Sequence, residues 1–218
     1  MGYMIKLFDK PRVIAIIGDI NSGKSNLLYH VLNELKNHKF NLYTYGLKSE
    51  IKKAQKIGSL IELELIRNSI IIIDEFYSLF DLDDRGKKRL IEETLRKIHH
   101  NNNVLILCGL PENFKKFISA KVDVYIFKQI TYDDFINGSR SKKIATNYCG
   151  EERGSFVLTL EKDKALIFPY ENHYKTIDVP YYQKHDSKKN NVNIIVEKTS
   201  KKTSKICQKK VETIIEHG

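Results

Sequence analysis

The chain has 218 residues and a formal net charge of +10, with 41% of its residues apolar, enough for one ordinary domain with a sizeable core and too many for wholesale disorder. The strongest apolar run, Ile70–Ile73, is strand-sized and far short of the roughly 18 residues that span a bilayer, so no membrane insertion is expected. "MGYMIKLFDKPR" lacks the apolar stretch of a secretory leader, and Cys108, Cys149 and Cys207 are scattered without a CxxC, which argues against a structural zinc site and suits a reducing cytoplasm.

From the N-terminus onward, apolar runs alternate with helical patterns, the mark of a mostly parallel α/β sheet flanked by helices. Strands are expected at Val13–Ile17, Phe40–Tyr45, Ser69–Ile73, Val104–Leu107, Val122–Lys128, Phe156–Leu160, Ala165–Pro169 and Thr176–Val179. After the first of them, a helix carries Leu27, Leu28, Val31, Leu32 and Leu35 on one face, the stripe that buries against a sheet. A shorter helix starts at "SLIE", where Ser59 and Glu62 have capping-box spacing. A third runs through "KKRLIEETLRKIHH" and buries Leu90, Ile91, Leu95 and Ile98; the polar "DLDDRGKK" on its N-terminal side, with Gly86, is expected to be a loop or a frayed start. The last three strands have little helix between them and are expected as antiparallel additions to one edge.

Beyond Tyr182 the pattern changes, and residues 183–218 hold nine lysines against four acids. The chain therefore divides into an α/β domain, 1–182, and a basic linker and C-terminal extension, 183–218, with a candidate short helix in "ICQKKVETIIEHG". Such a basic excess suits a polyanion, nucleic acid first, or serves simply as a solubilising tail.

"GDINSGKS", Gly18 to Ser25, matches G-x-x-x-x-G-K-[ST] in full, between an expected strand and an expected helix. Gly18 and Gly23 let the backbone curl, so that N–H groups along Asp19, Ile20, Asn21 and Ser22 point inward at phosphate oxygens. The helix N-terminus, which includes Asn26, adds its dipole to the same anion. Lys24 is placed to reach the β- and γ-phosphates of ATP, and the Ser25 hydroxyl to ligate Mg²⁺. "IIIIDEF" supplies the other half: a strand buried on both faces, with Asp74 emerging at its C-terminal end beside the ligand crevice. There Asp74 would hold Mg²⁺ through water and Glu75 would polarise the attacking water. Taken alone, an acid pair merely ends a strand at the surface; behind a phosphate loop it favours hydrolysis over a simple GTP switch.

Further along, "DEFYSLFDLDDRGKKRLIEETLRKIHHNNNVLILCGLPENF" passes from the acidic strand through a helix ending in Arg and His to the next strand. "DDFINGSRSKKI" holds a Ser–Arg pair, and "KALIFPY" with "KTIDVPYY" forms a closing pair of strands. In order and spacing, over roughly residues 10–182, the chain resembles the FtsK–HerA division of P-loop ATPases, especially the small genome-packaging ATPases of viruses with internal membranes. The resemblance implies a RecA-like fold and an ATPase that translocates DNA, duplex in form, as a homo-oligomeric ring. A capsid or portal protein is the implied partner, and the host cytoplasm or the virion the implied place of work. It also implies an arginine acting in trans on the neighbour's γ-phosphate, Arg140 first and Arg153 second; such fingers contribute about 10³–10⁵ in rate. One departure stands out. Where the family places a polar γ-phosphate sensor at the end of the fourth strand, this chain has Cys108 and Gly109, so either a nearby group such as Asn113 substitutes or the trigger differs.

Two other readings stay open. "SGKS", "DEFYSLF" and "GLPENFKKF" also resemble the thymidine-kinase family, although three scattered cysteines cannot supply its zinc ribbon. A nucleotide-gated binding module that hydrolyses slowly fits the missing sensor but not Glu75. Lys52 and Lys53, Arg85–Arg89, and Lys115 and Lys116 are basic clusters able to grip phosphates without reading sequence, each more simply explained as a solvated face. His99 and His100 end a helix, where a cation complements the dipole, and Tyr181 and Tyr182 are expected to pack.

Overall fold

The computed structural model describes residues 5–35, 40–47, 54–81, 84–137, 139–150, 154–170 and 173–180. The 183–218 extension, Lys52, Lys53, Arg153, Tyr181 and Tyr182 lie outside them. In chain order the elements are β1 (Arg12–Ile17), α1 (Lys24–Leu35), β2 (Asn41–Tyr45), β3 (Ala54–Lys56), α2 (Glu62–Leu65), β4 (Ser69–Asp74), α3 (Phe76–Phe80), α4 (Arg85–His100), β5 (Val104–Gly109), α5 (Lys116–Ser119), β6 (Val124–Phe127), α6 (Tyr132–Asn137), α7 (Ser139–Cys149), β7 (Lys164–Tyr170) and β8 (His173–Asp178).

All eight strands join one sheet in the order β3-β2-β4-β5-β1-β6-β7-β8. The first six run parallel, β7 is antiparallel to β6, and β8 is antiparallel to β7. This is the expected α/β architecture, mostly parallel with an antiparallel edge. Its central strands are apolar on both faces because helices cover both. The isoleucines of β4 divide by parity: Ile71 and Ile73 join Val13, Ala15, Leu105 and Leu107 against Ile91, Leu95 and Ile98 of α4. Ile70 and Ile72 join Ile14, Ile16 and Ile106 against Leu27, Leu28, Val31, Leu32 and Leu35 of α1. Each face thus buries a helix stripe worth roughly 1.5–3 kcal/mol per fully buried large side chain.

Three expectations need correction, and one short strand falls outside them all. Residues Phe156–Leu160 are not a strand; Ser155–Leu158 is a 3-10 helix. Val157 and Leu160 are both buried while Phe156 and Thr159 are exposed, a period of three that follows the 3-10 turn, where a strand's alternation would put the two on opposite faces. Only two antiparallel strands therefore extend the edge. The short β3, "AQK", pairs with β2 in parallel and carries no apolar pattern to announce it. "RGKK" is the first turn of α4 and not a frayed loop; Lys87 bonds back to Asp81 at 2.7 Å, holding an acid at the helix N-terminus where the dipole favours it. Ser59 and Glu62 do meet, at 3.0 Å. Yet Ile61 is the N-cap of α2, and Glu62 closes the preceding turn by accepting the Gly58 N–H at 3.1 Å.

Candidate nucleotide site

The register aligns the strand ends. Ile17 lies opposite Gly109 on one side and Phe127 on the other, and Asp74 lies opposite Cys108. Gly18, Asp74, Gly109 and Lys128 consequently emerge together at the C-terminal edge of the parallel strands, where an open α/β sheet forms its ligand crevice.

The loop from Gly18 to Gly23 turns through left-handed backbone at Asn21 (φ 62°) and Gly23 (φ 91°). Its Lys24 ammonium donates to the carbonyls of Gly18 and Asp19, at 2.7 Å each. Burial holds that ammonium below the ordinary lysine range, while Asp74, Asp19 and Glu112 pull it back up. The first backbone bond of α1 runs from the Leu27 N–H to the Gly23 carbonyl at 3.0 Å, so a twelve-residue helix opens directly from the loop with its positive N-terminal end toward it. Ser25 is exposed at its start and Ile20 projects from the loop, 75% exposed. The Oγ of Ser22 is buried with no hydrogen-bond partner among the described residues.

Asp74 ends β4 half-buried, and its Oδ1 accepts the Glu75 N–H at 3.1 Å. Burial raises Asp74 above the usual carboxylate range and the Glu75 charge adds to this, while a hydrogen bond from the Cys108 thiol opposes it. Glu75 is exposed and caps α3 in left-handed backbone, φ 51° and ψ 50°, a conformation that costs a non-glycine residue about 1 kcal/mol or more. From the β2 side, Gly46 (φ +74°) lies so close that a Cβ there would fall 2.3 Å from the Asp74 carbonyl oxygen.

The sensor position has a physical explanation. Cys108 is fully buried and bonded to Asp74, and burial pushes its thiol well up, so it is a thiol and not a thiolate. A Cβ at Gly109 would meet the Phe76 ring at 2.8 Å, and Phe76 in turn packs on Phe114, with centroids 4.8 Å apart. An aromatic cluster therefore fills the space a polar sensor would need. Asn113 sits half-buried in the 3-10 turn Pro111–Asn113 that follows, beside Glu112.

Two features on the far side of the loop escape motif reading. Asp19 reaches across to accept the Thr131 N–H through Oδ2, while its Oδ1 is buried with no partner among the described residues. Burial raises Asp19, and the neighbouring Asp134 adds to the shift. Behind the loop lies Lys128, 0% exposed, whose ammonium donates to the carbonyls of Lys162 (2.7 Å) and Lys164. The signal in the sequence was slight: a lysine ending the wholly apolar strand "VYIF".

Arg140 lies in the first turn of α7, which packs against the Pro111–Asn113 turn. In the Arg85–Arg89 run, Lys87 is paired with Asp81, Arg89 with Glu93 at 3.1 Å, and Lys88 stands over the Phe117 ring. Lys115 and Lys116 are exposed at the start of α5. His99 bonds Asp123 at 3.1 Å, at the sheet end opposite the site, where it is structural. Among the described residues no cluster of three or more His, Cys, Asp or Glu forms a metal site, and no helix is long and apolar enough to cross a membrane.

No protein-family model matches the chain, and no curated protein matches it either. Solved structures do share its fold. B204, the DNA-packaging ATPase of Sulfolobus turreted icosahedral virus, superposes with a TM-score of 0.57 at 21% identity, covering 76% of this chain and 96% of B204. The B204 genome-packaging NTPase of Sulfolobus turreted icosahedral virus 2, solved with ATP-gammaS, gives 0.57 at 19% identity over 78% of this chain and 99% of its own. The pCW3 conjugation coupling protein TcpA gives 0.54 at 17% identity, over 79% of this chain and 61% of its own. The chain thereby shares the RecA-like fold of these solved structures, a mostly parallel α/β sheet with an antiparallel edge, as the order of its motifs implies.

Proposed function

We propose that the chain is a Mg²⁺-dependent ATPase that moves duplex DNA as a homo-oligomeric ring and loads a viral genome into its capsid. The observation that carries this reading is the convergence of Gly18–Ser25, Asp74 and Glu75 at one sheet edge, on a fold shared with genome-packaging NTPases. Exposed Ser25 and half-buried Asp74 offer the hard oxygen donors that suit Mg²⁺. Bound there, the ion would neutralise phosphate charge. Lys24 exchanges the Gly18 and Asp19 carbonyls for β- and γ-phosphate oxygens, and the positive N-terminal end of α1 holds the same anion. Glu75, exposed beside Asp74, takes the proton of the attacking water. Arg140 from a neighbouring subunit supplies the charge that steadies the transition state.

The filled sensor position favours a second reading, a nucleotide-gated module with slow turnover: Phe76 occupies the space beside Gly109. One assay separates these. ATP hydrolysis is measured with and without duplex DNA, and with deoxynucleosides present. Stimulation by duplex that disappears in Glu75→Gln supports the motor. Tight ATP binding with negligible turnover establishes the slow module, and a phosphorylated deoxynucleoside would overturn both in favour of a kinase.

A further inference from the structure

We propose that Lys128 is a positioning residue for the phosphate loop: a buried cation behind Gly18 and Gly23 that strengthens the grip on a nucleotide in proportion to its phosphate charge. The inference rests on reading that loop as a triphosphate cradle. Its stem and its head touch both motif glycines from behind. A Cβ at Gly18 would fall 2.7 Å from Lys128 Cβ, and one at Gly23 would fall 3.3 Å from Cε and 3.6 Å from Nζ. The two glycines are therefore needed for close approach by Lys128 as well as for backbone curl. The Lys128 N–H donates to the Ile17 carbonyl at 2.8 Å, which fixes the stem to the strand that feeds the loop.

Neutral hydrogen-bond partners use the donors of the ammonium and leave its charge to act on an anion nearby. Both partners of the ammonium are carbonyls, those of Lys162 and Lys164. Asp163 acts on it through space, and the Lys164 side chain is committed to Asp178. On the loop side the charged groups are Lys24 and Asp19, the latter engaged by Thr131. A methionine would fill the same volume with no charge to desolvate. What a lysine adds is a positive potential directly under the loop, in a water-poor setting where charge acts strongly. The carbonyls that hold it belong to the turn before β7 and to the first residue of β7, so the loop is also braced against the antiparallel edge of the sheet.

The protonation of this lysine gives a readout that packing alone does not. Burial lowers Lys128 from 10.5 to about 8, against the pull of Asp163. The ammonium is charged below that value and neutral above it, so ATP affinity falls as pH rises through about 8. Lys24, whose ammonium is also held down by burial, is common to wild type and variant and cancels in their comparison.

The test titrates ATP, ADP and AMP into the full-length wild type and Lys128→Met, from pH 7.5 to about 9.5, with steady-state kinetics alongside. The expected result is an ATP Kd raised about tenfold in the variant, less for ADP and least for AMP. KM rises with kcat within about twofold, and the pH-dependent loss is gone. Equal weakening for all three nucleotides, or an unchanged ATP Kd, overturns the inference while leaving the ATPase reading intact. Failure of the wild type to bind ATP overturns both. Should Lys128→Met not fold, Asp163→Asn serves: without the opposing carboxylate the fall in ATP affinity moves to lower pH, and an unmoved profile overturns the inference.

Discussion

The two ends of the central strands are built to different standards. At the N-terminal end, polar groups are satisfied. The buried Asn103 side chain accepts the Ser69 N–H at 3.0 Å and donates to the Ile66 carbonyl at 2.8 Å, and its backbone carbonyl accepts the Arg12 N–H at 3.2 Å. Asp123 accepts the Val13 N–H at 2.7 Å while bonding His99. At the C-terminal end, Asp19 Oδ1 and Ser22 Oγ are buried without partners among the described residues. Lys128 is fully buried there as a cation, whereas left-handed backbone occurs at both ends, at Asn21 and Glu75 on this side and at Asn68 and Asn102 on the other. Satisfied groups stabilise the fold; unsatisfied ones mark where a ligand completes the structure. One end therefore sets stability, and the other gives some of it up by leaving polar groups open to a ligand.

Mutations at the two ends should separate accordingly. The largest effect is expected from Glu75→Gln, which lowers ATP turnover by about 10²–10⁴-fold and leaves the melting temperature within a degree or two in a calorimetric scan. Next, Asn103→Leu strands the Ser69 N–H and the Ile66 carbonyl in the core. Chemical denaturation should register a loss of about 2–4 kcal/mol, with turnover per folded molecule unchanged. A loss of activity beyond the unfolded fraction would break the division between the ends. Smaller still is Gly109→Ser, an attempt to restore the polar sensor. Its Cβ meets the Phe76 ring, so stability should fall by about 1–3 kcal/mol with no gain in rate. A faster enzyme would show that Phe76 yields and the sensor position is usable.

The same division explains what the sequence revealed. The phosphate loop, the acid pair and the α1 stripe were legible because each is a local pattern: glycines at fixed offsets, an acid closing four isoleucines, leucines at helical spacing. The parallel sheet followed from their alternation. What escaped reading depends on contacts distant in the chain. Lys128 matters because residues 18, 23, 162 and 164 converge on it, and no offset within "VYIFK" encodes that. Gly109 looked like a missing sensor until Phe76, from another element, proved to fill the space. The misread 3-10 turn at Ser155–Leu158 and the three-residue β3 are too short for period to discriminate.

The backbone at Glu75 places two kinds of selection in opposition at a single codon. Left-handed geometry favours glycine there, so a library screened for thermal resistance alone should enrich glycine at position 75. Screening for turnover should return glutamate, whose carboxylate glycine lacks and aspartate carries one methylene short of its position. Glutamate returned by the second screen and glycine by the first would show that turnover, and not stability, fixes the residue at this position.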